Sequence, residues 1–437
     1  MNTATRRLRR RALPALALLG VGALALTACA DGGGSGSTGS GTFTYLGQNE
    51  NTTIVDTLKT LSTDQCSAEN AAATLTPDSI PGTTWDQQLQ LLAGQNGLSN
   101  FSMAAGTPAL MKQFIDAGQV VDISKELAAD GLEDKILPAA KSTIEALHGT
   151  DDIYALPTEF NIEGFWYNKS LLEQNGITPP TTWDELVADA AKLKAAGIQP
   201  FSASGEQGWP LTRLVGNYLF RDLGPDALQK VADGSASLTD PEYVKAADAV
   251  AALGSAGYFG DAPTSIDYNT SMNLFLTGKA AFFYMGSWAL TAFNDPTQNL
   301  IGADDIGFVP FPDVAGGKGS SDQVPANVGI PTMFASNDFG DADKAWLKCI
   351  VSNYGDVVLK DSGVVSGFAI DNPPADLPAT TKLVQDTIAN APSSVLWFEA
   401  LMSPQATTVS QSNGGGLANG TLTGEQFMKL VQDANKG

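Results

Sequence analysis

Histidine is nearly absent from this chain: 437 residues carry one, His148, and three cysteines, Cys29, Cys66 and Cys349. A zinc centre draws on clusters of His and Cys, so none can form here without recruiting carboxylates. His148 stands in Glu145-Ala-Leu-His-Gly-Thr, where the following Gly-Thr predicts an exposed helix end and not a general base. Positive charge is scarce as well, with 25 Lys and Arg against 47 Asp and Glu and a formal charge of −22. Nucleic-acid phosphates would be repelled, which excludes that class of partner. Neither a Gly-x-x-x-x-Gly-Lys-Ser/Thr phosphate loop nor a Gly-x-Gly-x-x-Gly that opens a helix after a strand occurs. Carboxylates are abundant, yet no pattern singles out a pair set for glycoside hydrolysis. Catalysis therefore has no motif behind it, and neither cofactor nor metal is expected.

What is present is a globular composition, 43% hydrophobic and 16% charged, in a chain long enough for two or three domains. The N-terminus runs from the basic stretch Arg6–Arg11 into a short apolar segment and then Cys29. That is the order of a secretory signal, and the apolar part falls short of the ~20 residues that span a bilayer. Leu26-Thr27-Ala28-Cys29 resembles the bacterial lipobox, in which the cysteine is acylated and becomes the new N-terminus. Residues 1–28 are thus expected to be a lipoprotein signal peptide. Their removal takes five arginines (6, 7, 9, 10 and 11) and no carboxylate, leaving a still more acidic chain. Residues 29–41 are a Gly/Ser tether, with a reach of roughly 20 Å as a random coil. With Cys29 acylated, Cys66 and Cys349 remain as an even pair in an oxidising compartment. They are either disulfide-bonded or two buried thiols.

From Thr42 onward, strand and helix patterns alternate. Thr42–Leu46 reads as a strand, and Ile54, Val55, Leu58 and Leu61 give a helix over Thr53–Ser62. Asp86–Ala93 and Met111–Ala117 read as helices, and Gln119–Ile123 as a strand. Trp183 opens the clearest helix, with Thr182 as N-cap and Glu185 completing a capping box. This alternation predicts α/β domains with mainly parallel sheets. The Pro/Gly-rich stretch from Phe308 to Pro331 reads as a connection between lobes.

The tryptophans separate by position. Trp183 and Trp346 fall inside helical patterns and read as core, while Trp85 precedes a helix it could staple. Trp209, Trp288 and Trp397 each sit at an element's end beside Gly, Pro or polar residues. In Lys279-Ala-Ala-Phe-Phe-Tyr-Met-Gly-Ser-Trp288 an apolar run stops at Gly286-Ser287 and presents an indole at once. Ligands of open α/β sheets bind outside the carboxyl ends of strands. There an indole face can pack on the C–H face of a sugar ring while amides and carboxylates bond its hydroxyls. By residue type alone, each of the three is more often a core residue.

The order of segments changes that balance. The stretch from Tyr154 to Leu186, with its Leu156-Pro157, Tyr167-Asn168-Lys169 and Pro180-Thr-Thr-Trp183, resembles the first inter-lobe crossing of the bacterial extracellular solute-binding proteins, the sugar-binding class of ABC importers that includes maltose-binding protein. Phe275-Leu-Thr-Gly-Lys-Ala-Ala-Phe-Phe-Tyr-Met-Gly-Ser-Trp288 is similar to that family's signature, whose terminal Trp lines the sugar site. Asp305–Val314 and Asn327–Thr332 resemble its second and third crossings, and Leu396–Gln405 its C-terminal ligand-facing segment. The likeness spans nearly the whole mature chain.

This resemblance implies a two-lobed periplasmic-binding-protein-like α/β fold with a multi-strand crossover hinge. The expected N-terminal lobe comprises residues 42–158 and 310–338, and the C-terminal lobe residues 159–309 and 339–437. It also implies a lipid-anchored monomer on the outer face of the membrane, delivering a carbohydrate, expected to be an oligosaccharide, to ABC permease subunits. Trp288 and Trp397 become stacking platforms, Glu159 and Asn161 hydroxyl contacts, and Trp209 a weaker match. Gln48, Asn49 and Glu50 follow the first strand, where the family places polar contacts. Ser99-Asn100-Phe101 stands where the family often has Pro-Asp. The alternatives are a secreted carbohydrate-active enzyme, or a binder of a polyamine or glycerophosphodiester.

Overall fold

Strand β1 (Gly41–Gln48) buries Phe43, Tyr45 and Leu46, the apolar content that lets it run through the middle of a sheet. The computed structural model describes residues 41–49 and 51–436. The leader, Cys29, the tether up to residue 40 and Glu50 lie outside the described residues. On either side of β1, β2 (Ala73–Ile80) and β3 (Phe101–Met103) pair in parallel, and the later β9 (Thr332–Phe334) closes the edge antiparallel to β3.

The second sheet holds six strands: β4 (Asn161–Asn168), β5 (Gln199–Ser202), β6 (Ala280–Gly286), β7 (Ile306–Pro310), β8 (Gln323–Asn327) and β10 (Ser393–Val395). β4 is antiparallel to β6, β7 and β8, while β5 runs parallel to β6 and β10 parallel to β8. The expectation of mainly parallel sheets therefore holds for the first sheet only. β6 is buried along its whole length because both its faces are covered. Phe282 and Tyr284 join one core; Phe283 and Met285 join the other.

Three passages link the sheets. Leu156 bridges Thr332 of β9 before the chain enters β4. The Pro/Gly-rich stretch carries β7 and β8 across to β9, as its composition implied. The third passage leads from helix Asp341–Ser362 to β10. This is the two-lobed α/β architecture with a crossover hinge.

Several local readings change. Helix Asp341–Ser362 packs on the first sheet, where Trp346 stacks on Phe43 at 4.7 Å between centroids and donates its indole N–H to Ala73 O. Its place in the chain had put it with residues 339–437 of the second lobe, but burying Trp346 and tying Cys349 to Cys66 outweigh sequence order. The disulfide joins cysteines whose Cα atoms are 5.8 Å apart. Gln119–Ile123 is no strand: Val120 makes one isolated bridge to Ala335, and Ile123 opens a helix capped by Asp122. His148, expected exposed, is 3% exposed at the last position of helix Pro138–His148. The capping box at Thr182 and Glu185 forms as read. Asn100 is taken up by the fold, accepting from the Thr44 N–H and hydroxyl. Among the described residues no helix is long and apolar enough to cross a membrane.

Candidate functional site

Four tryptophans are core: Trp85, Trp166, Trp183 and Trp346 are each at most 6% exposed. Trp209, Trp288 and Trp397 are half-buried, and one cavity of about 410 Å³ gathers all three, together with Arg213, Asn327, Gly329 and Gln411. The chain positions them by distinct devices. β6 ends at Gly286, and a short 3₁₀ turn then swings Trp288 back over it. A Cβ on Gly286 would stand 2.0 Å from the Trp288 ring, so only glycine accepts the indole there. Trp397 follows β10 by two residues. Trp209 opens helix Trp209–Leu223, preceded by Gly208 at φ 71° and followed by Pro210. Left-handed backbone favours glycine, and proline suits the first helical turn. Gly208 also lies so close to helix Pro404–Ala418 that a Cβ would overlap the Gln411 carbonyl. That contact brings Gln411 to the cavity.

Arg213 is the hub. It lies one turn beyond Trp209 on the same helix face, with its guanidinium 5.7 Å from the Trp209 ring and 5.2 Å from that of Trp397. Trp209 is 5.8 Å from Trp288, tilted at 57°. Arg213 donates to Glu163 at 2.9 Å, a carboxylate 1% exposed. Glu163 also accepts from the Asn327 amide at 3.2 Å and the Tyr284 hydroxyl at 3.3 Å. Burial, with Glu163 beside it, holds the Tyr284 hydroxyl well above its usual range, so it remains a neutral donor. Such pairing compensates the burial of a carboxylate and fixes Arg213 between two indoles, where cation–π attraction adds to packing.

Glu159 and Asn161 line an adjoining cavity of about 430 Å³ that shares Trp288. Asn161 accepts from Ser287 at 3.1 Å. Glu159 accepts from the Asn51 amide at 3.0 Å, and burial pushes its carboxyl up against the pull of that hydrogen bond. Gln48 lines a separate pocket of about 240 Å³ with Asn51, Pro77 and Asp78. Asn49 is exposed and lines none of the cavities described, so the first-strand loop meets Glu159 through Asn51. Sequence reasoning missed Arg213, Asn327 and Gln411. Only Arg213 left a signal, its i+4 spacing from Trp209.

With this geometry in hand, comparison with known proteins gives the class. Residues 51–353 match the bacterial extracellular solute-binding proteins, and the chain belongs to that family. An uncharacterized ABC transporter extracellular-binding protein of Pyrococcus horikoshii is 32% identical over 166 residues, which cover only 37% of either chain. A probable sugar-binding periplasmic protein of Rhizobium meliloti is 29% identical over 231 residues, 50% of this chain and 54% of that one. Among solved structures, a chitin oligosaccharide binding protein is 26% identical with a TM-score of 0.70, across 91% of this chain and 100% of the other.

Proposed function

We propose that this protein is the lipid-anchored substrate-binding component of an ABC importer and takes up a carbohydrate, an oligosaccharide, between its lobes. The observation that carries this reading is the convergence of three half-buried indoles with an arginine and two amides on one cavity. Indole faces cover the apolar faces of sugar rings, and Asn327 and Gln411 are neutral groups that can exchange hydrogen bonds with hydroxyls. The names of the Rhizobium and chitin-binding relatives support the same class of ligand. Arg213 at the centre argues against a polyamine, which it would repel.

Contacts from both lobes would stabilise the closed state over the open one, making closure a population shift. The importer's permease would read the closed form and its partner subunits supply ATP hydrolysis. Cys29 would carry the lipid, leaving the folded body a monomer outside the membrane. In this reading Glu163, paired with Arg213, and Glu399, which is buried and accepts from the Ser410 hydroxyl at 2.8 Å, are structural, and the chain is not an enzyme. Calorimetric titration of the leaderless protein against mono- and oligosaccharides, spermidine and glycerophosphodiesters tests it. One sugar bound at micromolar affinity or better and recovered intact is the expected result. Silence across the sugars with a response to a control overturns the ligand class, and a cleaved sugar favours an enzyme.

A further inference from the structure

The cavity of the three indoles runs against the charge of the chain. Asp and Glu number 47 against 25 Lys and Arg, yet among the described residues no carboxylate lines this cavity, and its one charged wall residue is Arg213. That guanidinium is only partly committed. Nη1 donates to Glu163 at 2.9 Å, and Nε is buried without a protein partner. Nη2 has no partner among the described residues and, unlike Nε, is not buried, so it is the nitrogen left to meet a ligand. Glu163 offers that ligand nothing: it is 1% exposed, and its oxygens already accept from Arg213, Asn327 and Tyr284. The Gln411 amide is also unbonded among the described residues, and it brings further N–H groups from the helix that meets Gly208. Asn327 is less free, because its oxygen accepts from the Gly329 N–H and its nitrogen donates to Glu163. The wall is therefore rich in donors and poor in acceptors.

We infer that the sugar taken into this cavity carries a carboxylate, as a uronic acid does. The inference rests on the carbohydrate reading above and narrows it. A hydroxyl both donates and accepts, so a wall suited to neutral sugars sets strong acceptors beside its donors. A carboxylate only accepts, and its oxygens match the open edge of a guanidinium. Such charge-assisted hydrogen bonds are roughly twice as strong as neutral ones. The C–H face of the ring that bears the carboxylate stays available to the indoles. The ion pair with Glu163 leaves the cavity little net charge, which fits a single carboxylate better than a phosphate dianion.

Matched sets that differ only at this group provide the test: glucuronate, galacturonate and digalacturonate, each beside its methyl ester and its neutral parent sugar. All are titrated calorimetrically into the wild type at low and high salt. They are also titrated into the double variant Arg213→Gln with Glu163→Gln, which leaves neither charge buried alone. The expected result is an acid bound at least about tenfold tighter than its own ester and its parent. That advantage should shrink at high salt and fall toward one in the double variant, whose melting temperature confirms that it is folded. Should the variant not fold, the acid-to-ester ratio of the wild type and its salt dependence decide. An ester or a parent sugar bound as tightly as the acid overturns the carboxylate assignment and leaves the carbohydrate reading standing. A preference that survives the double variant overturns the placement at Arg213. If no member of any set binds, and no neutral oligosaccharide does, the carbohydrate reading fails and this inference falls with it.

Discussion

His148 shows how one residue's surroundings outvote its sequence context. The Gly-Thr that follows it ends the helix, as read, but the ring turns inward. Burial lowers its pKa to about 4, against a helix C-terminus that would favour the cation. Lys141 and Glu145 share its helix, and Lys112 and Glu399 line one cavity of about 610 Å³ with it. A folded-state pKa below the unfolded value means that the unfolded chain takes the proton first. The stability this group provides is complete above about pH 6.5 and is lost as pH falls toward 4. Glu159 and Glu399, whose carboxyls burial raises, act in the opposite sense, favouring the fold as pH falls. Both remain in a His148→Phe variant and cancel in a comparison. Between pH 7 and pH 4.5, wild type should lose roughly 2–3 kcal/mol more than His148→Phe in urea unfolding. Parallel pH profiles would show that His148 is not held neutral.

At the scale of elements, sequence was most informative where local chemistry decides the outcome. The capping box at Thr182, the crossing strands and the three indoles at element ends all follow from neighbours within a few residues. The rest depends on contacts across the chain. Nothing near Gln411 announces a site residue, since it reaches the cavity only because two helices touch at Gly208. Asn327 matters through Glu163, which is distant in sequence. Helix Asp341–Ser362 was misplaced because sequence order cannot reveal which sheet a helix covers; Phe43 and Cys66 decide that. Gly208 gives the contact a test. Gly208→Ala would strain a backbone at φ 71° and drive a methyl into the Gln411 carbonyl, a cost of roughly 2–4 kcal/mol. Sugar affinity should fall along with melting temperature, because Trp209 and Gln411 move together. An unchanged affinity would show that this helix contact does not set the cavity.

For the molecule as a whole, the two-lobed plan and family membership were legible in the order of motifs, and so was the pairing of the last two cysteines as one of two options. The disulfide spans 283 residues and holds helix Asp341–Ser362 to the end of helix Thr53–Thr63. In the chain-entropy account a loop that long contributes about 5 kcal/mol. Reduction, or Cys66→Ala with Cys349→Ala, should therefore lower the unfolding free energy by that order, read from denaturant titration, with ligand binding to the folded protein retained. A leaderless protein without Cys29 should show no free thiol until reduced.

The central claim is that the cavity of Trp209, Trp288 and Trp397 holds the sugar, and calorimetric titration of Trp288→Ala beside wild type tests it most directly. Removing a ring that covers ~60–80 Å² of sugar should cost roughly 1.5–2 kcal/mol, about a tenfold to thirtyfold weaker Kd, with the ligand-free melting temperature lowered by no more than about 2 °C. An unchanged Kd, or a ligand-free protein that melts far earlier, would return Trp288 to the core and contradict the account.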